Sequence, residues 1–151
     1  MLRVALGNAL KESMKAKNIR TTSTVRLILA ALKDRDIAAR EKGNKDGIPD
    51  DEILGLLQSM IRQRRDSIEL YEKGGRCELA QQEAEEIGII ERFLPQQMGE
   101  AEIAAAIDGV VKELAAASLK DMGRTMAALR ERYAGRMDFS KASQLVKTKL
   151  S

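Results

Sequence analysis

Chemistry near neutral pH needs groups that titrate or coordinate there, and this chain has few: no histidine and a single cysteine, Cys77. Without imidazole, a general base or soft-metal site would have to come from carboxylates and one thiol. No recognisable arrangement of that kind is present. The chain contains no Walker loop, no Gly-x-Gly-x-x-Gly after a strand, no Gly-x-Ser-x-Gly elbow and no Cys pair at metal spacing. Cys77 follows a glycine turn and reads as a semi-buried structural thiol. The acidic stretch from Asn44 to Glu52 lacks the ligand pattern of an EF-hand and reads as a capped surface loop. The sequence therefore assigns no catalytic residue, no metal ligand and no cofactor.

The residues best suited to binding are basic and lie late in the chain. Residues 112–151 carry nine Lys or Arg against four Asp or Glu, whereas the whole chain has a formal net charge of only +3. Lys120, Arg124, Arg136 and Lys141 are the cations singled out here, with Gly123 among them. A glycine early in a helix costs up to ~1 kcal/mol relative to alanine, so a close approach by a neighbour or ligand is expected at Gly123. Basic side chains around exposed backbone suit a phosphate, and an ordinary solvated face is the equal alternative. Arg26 and Lys33, seven residues apart, share one stripe of a helix, as a binding edge or a solvated face. Asp36 and Arg64 fall on apolar seams. Burying either charge alone costs several kcal/mol, so they are expected either to pair in a polar network or to reach solvent by rotation of their helices.

The elements that must position these residues are helical. Aromatics make up 3% of the chain, so its 44% hydrophobic content is essentially aliphatic and suits helix seams rather than a sheet. A first helix follows Leu2, Leu6, Ala9/Leu10 and Met14; a second, capped within Arg20–Thr24, follows Val25, Leu29, Leu32 and Asp36. A third, capped by Asp50, runs along Ile53, Leu57, Met60/Ile61, Arg64, Ile68 and Tyr71 to Gly74-Gly75, and a fourth spans residues 77–93. Leu94-Pro95 breaks the pattern, which puts a domain junction there, with residues 1–95 before it and 96–151 after it. Beyond it lie an Ala-rich helix over 102–116 and a helix opened by a Ser118–Asp121 capping box along Leu119, Met122, Met126, Leu129 and Tyr133. A last helix is capped by Asp138 or Ser140. The expected class is all-α: about four helices, then a small three-helix domain.

Six pieces in order, namely Thr24-Val-Arg-Leu to Lys33-Asp-Arg-Asp-Ile37, Arg62-Gln-Arg-Arg-Asp-Ser-Ile68, Glu72-Lys-Gly-Gly-Arg76, Phe93-Leu-Pro95, Asp121-Met-Gly-Arg-Thr-Met126 and Gly135-Arg-Met-Asp138, resemble the YqeY family pattern. The resemblance covers nearly the whole chain. It implies a helical N-terminal part followed by a three-helix domain like the tail of the GatB subunit of glutamyl/aspartyl-tRNA amidotransferase, a tail associated with tRNA recognition. Two positions depart from that pattern: Arg124 replaces a lysine, and the Ala134–Asp138 element lacks its leading lysine.

The function expected is thus a non-catalytic module that binds tRNA or joins an amidotransferase or other tRNA-handling protein through Lys120, Gly123, Arg124, Arg136 and Lys141. Two alternatives are an amide-transfer enzyme or its accessory, by homology alone, and a protein adaptor without RNA contact. No window reaches the roughly 18 apolar residues of a membrane span, and neither a membrane nor DNA is expected as partner. The first segment is amphipathic with few acids, so a transit peptide is conceivable, yet it reads more simply as the first helix. The lone cysteine points to a reducing, cytoplasmic setting.

Overall fold

The computed structural model describes residues 1–151 and contains seven α-helices, one 3-10 turn and no strand. The helices are α1 (Leu2–Lys15), α2 (Ile19–Glu41), α3 (Asp50–Lys73), α4 (Cys77–Glu91), α5 (Glu100–Leu114), α6 (Met122–Tyr133) and α7 (Phe139–Leu150). The 3-10 turn, Leu119–Asp121, precedes α6. The chain divides into two units, Met1–Leu94 and Pro95–Ser151.

In the first unit α1 packs on α2, α3 on α4, and α2 touches both α3 and α4. The helices meet through Leu6, Ile28, Ile53, Leu57 and Ile90, each fully buried. Each such side chain contributes roughly 1.5–3 kcal/mol by leaving water. Two seam positions differ from expectation. Met14 is half exposed, and the last inward residue of α1 is Ser13, whose hydroxyl donates to the Leu10 carbonyl at 2.9 Å. On α2 the buried face runs Thr21, Thr24, Val25, Ile28 and Leu32, which rotates the helix so that Leu29 is partly buried and Asp36 lies at the edge of the core.

Local chemistry explains the helix ends. Asn18, ahead of the polar run expected to cap α2, accepts from the Thr21 N–H at 3.1 Å. Pro49, not Asp50, occupies the N-cap of α3, which leaves Asp50, Asp51 and Glu52 as first-turn acids facing the positive end of the helix dipole. Gly75 takes φ +73° at the α3 stop, where other residues would be strained.

The second unit packs α5, α6 and α7 around Ile107, Leu129, Met137 and Val146. Its ends are closed by backbone and short side chains. The Met98 N–H donates to the Arg136 carbonyl at 2.9 Å, and Asp138 caps α7 by accepting from the Ser140 and Lys141 N–H groups. The expected Ser118–Asp121 capping box forms, and it opens the 3-10 turn ahead of α6. Asp121 accepts from the Ala117 N–H at 2.9 Å and the Ser118 N–H at 3.4 Å, closing the 3-10 turn and leaving Leu119 about half exposed rather than on the seam.

Candidate functional site

The two charges flagged on apolar seams do not meet. Asp36 forms a bidentate pair with Arg3 of α1, at 2.6 and 2.8 Å. Arg3 also donates to the Ile48 carbonyl at 2.9 Å, and Asp36 accepts from the Ile48 N–H at 2.9 Å, so the clasp ties the α2–α3 loop to two helices. The Arg3 hydrogen bonds, joined by the Ile48 N–H, hold the Asp36 carboxyl below the usual carboxylate range against the opposing effect of partial burial. Arg64 pairs instead with Glu86 at 3.0 Å and lies 3.9 Å from Glu83, bridging α3 to α4. The expectation of one shared network fails because Arg3 and Glu86, remote in sequence, reach these charges first. Both groupings are structural ties, Arg3 matched by Asp36 and Arg64 shared between Glu86 and Glu83.

Cys77 is exposed at the first position of α4 rather than semi-buried. In the Asn44–Glu52 stretch, Asn44 accepts from the Asp46 N–H at 3.0 Å and donates to the Gly47 carbonyl at 3.1 Å. Its side chain thus holds the loop together with the Arg3–Asp36 clasp. Arg26 and Lys33 are exposed on α2.

The late cations split into two groups. Arg124 is in the first turn of α6 and Arg136 lies beyond its last residue, Tyr133, so about 18 Å of helix runs between the two regions. The five expected binding residues are therefore not brought together in one place. Near the start of α6 are Lys120, Gly123 and Arg124, all exposed. The 3-10 turn that carries Lys120 packs on α6 and α7, whose last turn holds Lys147 and Lys149, and Lys112 ends α5 just upstream. At the other end, Arg136 donates to the Gln96 carbonyl at 3.3 Å, and Lys141 lines a groove of about 570 Å³ between α5 and α7 with Glu100, Ala104 and Leu145. The sequence reading counted Lys112 and Lys147 in the basic excess without singling them out, because they fall on different helices from Arg124.

Part of the basic excess is also spent internally. Arg124 pairs with Asp121 at 2.9 Å, Arg132 with Glu113 and Lys149 with Asp108. Three acids of α5, Glu100, Glu102 and Asp108, precede the stretch counted from residue 112, so the folded unit carries nine basic against seven acidic residues. A methyl group added at Gly123 would meet nothing within 4 Å, so no neighbour in the chain explains that glycine.

The family model for Yqey-like proteins matches residues 3–150. The chain belongs to the YqeY family. Among curated proteins it is similar to altered inheritance of mitochondria protein 41, mitochondrial, of Lachancea thermotolerans, with 35% identity over 70% of this chain and 55% of that protein. The Eremothecium gossypii protein of that name is 34% identical, over 70% of this chain and 56% of its own length. The one from Saccharomyces cerevisiae is 28% identical, over 81% and 63%. This YqeY chain thus spans little more than half the length of the first two relatives. Their names also correct the cytoplasmic expectation, since these relatives are mitochondrial by name. The physical ground for that expectation was weak: a single free thiol marks a reducing setting and does not identify a compartment.

Proposed function

We propose that this YqeY protein is a non-catalytic adaptor that binds structured RNA, with tRNA the first candidate, through the end of its second unit where α6 begins. The observation that carries this is the convergence of Lys112, Lys120, Arg124 and Lys147 on that end, around a glycine whose missing side chain leaves the backbone open. Cations on four elements around open backbone suit phosphates, which attract charge without demanding a base-specific contact. Arg124 is held by Asp121, which fixes its guanidinium while leaving donors free. Arg136 and Lys141 belong to the far end and are secondary in this reading. The amidotransferase-related partner rests on the resemblance to the amidotransferase tail, and the chain supplies only the tail-like part of such an enzyme.

A tRNA titration at several salt concentrations tests this. About three phosphate contacts give a log–log salt slope near −2 to −3. Replacing Lys120 and Arg124 with alanine is expected to flatten the slope by about one to two units, whereas replacing Arg136 and Lys141 leaves it nearly unchanged. Circular dichroism controls for folding. Absence of tRNA binding at low salt, or equal effects from both pairs, would refute the assignment of this end.

A further inference from the structure

Exposed aliphatic side chains are unevenly placed in this protein. Of the nine large apolar residues left exposed, five belong to the first two helices: Val4, Met14, Ile19, Leu27 and Ile37. On α2, Ile19, Arg26, Ala30, Lys33 and Ile37 follow one another at intervals that return to the same direction around the helix, opposite the buried Ile28. This outward stripe is about 27 Å long. Leu27 flanks it, and at the α1–α2 turn Met14, Lys17, Ile19 and Arg26 border an open depression of about 490 Å³. Ile19 is 83% exposed, while Met14, Leu27 and Ile37 are each close to half exposed.

The charges within the stripe, Arg26 and Lys33, are positive and unspent, while the acids Asp34 and Glu41 lie exposed at its edge. Arg26 rests on the Met14 sulfur at 3.9 Å, and Lys15, Lys17 and Lys33 stand outside the ion pairs made by Arg3, Arg20, Arg64, Arg65, Lys73, Arg76 and the Met1 amine. The face thus alternates aliphatic groups with cations along one long helix. That pattern fits a helix lying in the plane of an anionic lipid surface, its apolar groups between the acyl chains and its Lys and Arg stems extended toward the headgroups. RNA would use the cations and leave Ile19, Met14 and Leu27 in water. An acidic protein would need a groove deep enough to cover Ile19, and the depression is open.

We infer that the α1–α2 face is a peripheral docking surface for anionic phospholipid membranes. This differs from the sequence expectation of no membrane partner, which rested on the lack of a spanning segment. No helix is long and apolar enough to cross a membrane. Without aromatic anchors the attachment is shallow and reversible and needs both charge and apolar contact.

The test is flotation of the full, RNA-free chain with vesicles of phosphatidylcholine alone or mixed with phosphatidylglycerol, with tRNA and polyglutamate as competing probes. The chain is expected to float with the mixed vesicles only, and less so as salt rises. Arg26→Glu with Lys33→Glu should lower partitioning by about tenfold or more. Ile19→Ser with Leu27→Ser should also lower it by about tenfold at unchanged charge. All four positions are exposed, and circular dichroism confirms folding of each variant. The inference is overturned if the mixed vesicles fail to capture the chain, if neutral vesicles capture it equally, or if the serine variant partitions like wild type. It is equally overturned if tRNA or polyglutamate binds through this face while vesicles do not, which would assign the face to RNA or to an acidic protein. The RNA reading of the second unit is separable, because its variants lie on α6 and the preceding turn.

Discussion

The two units are tied together internally in different ways. In the first, the ties are charged side chains between helices and are partly shielded: Arg64 is 13% exposed and Asp36 25%. In the second, the corresponding ion pairs, Arg132–Glu113 and Lys149–Asp108, sit in water, and closure comes from backbone hydrogen bonds around Met98 and Arg136. A shielded pair with additional backbone partners is costly to break, because the remaining group loses its partner away from bulk water. A solvated pair contributes little, since water and salt replace it. Ion pairs are therefore structural in the first unit's interior and contribute little in the second.

The largest effect that would break this contrast is expected at Gly47. It has φ +86°, and a methyl group there would lie 2.6 Å from Arg3 Nη2 and 2.8 Å from Asp36 Oδ1. Gly47→Val is predicted to lose about 2–4 kcal/mol, combining left-handed strain with a displaced clasp. Urea denaturation measures it. A loss below about 1 kcal/mol would mean that the clasp is dispensable.

A smaller change sharpens the comparison through pH. Asp36→Asn is expected to cost about 1–3 kcal/mol, because the charge-assisted bonds to Arg3 weaken. The folded Asp36 carboxyl titrates below its unfolded value, so its stabilisation is complete above the ordinary aspartate range and is lost as pH falls through the lower, folded value. Wild type should therefore lose more stability than the variant between neutral and strongly acid pH. Arg132→Ala in the second unit should leave the urea midpoint almost unchanged at pH 7, as its pair with Glu113 is exposed. Denaturation midpoints across a pH series check both, and parallel acid profiles for wild type and Asp36→Asn would refute the role of the clasp.

How far these features were legible follows from the distance over which each is determined. Helix periodicity, the Gly74-Gly75 stop and the Asp138 cap are local, and the residues themselves indicate them. Asp36 and Arg64 were conspicuous as charges on apolar seams, but their partners depend on tertiary placement: Arg3 is 33 residues from Asp36, and Glu86 is 22 from Arg64. The basic excess was visible as a count. Its division into two ends was hidden because α6 itself separates Arg124 from Arg136, while the cations that join Arg124 come from α5 and α7.

The smallest effect concerns Gly123, where structure and recognition make opposite demands. The residue lies in the first turn of α6, its φ is not positive, and an added methyl group would meet no neighbour. Helix propensity alone then predicts that Gly123→Ala stabilises the protein, by up to about 1 kcal/mol and by less where the first turn is already frayed. If a phosphate approaches that backbone, the same methyl group stands in its path, and tRNA affinity should fall by a few fold with the salt slope little changed, because no charge is removed. Stability and binding would then move in opposite directions. A glycine with no binding role would show only the rise in stability, as would a binding end formed by the cations alone. Paired urea denaturation and tRNA titrations on this one variant therefore separate an open backbone used for recognition from a basic surface that only attracts.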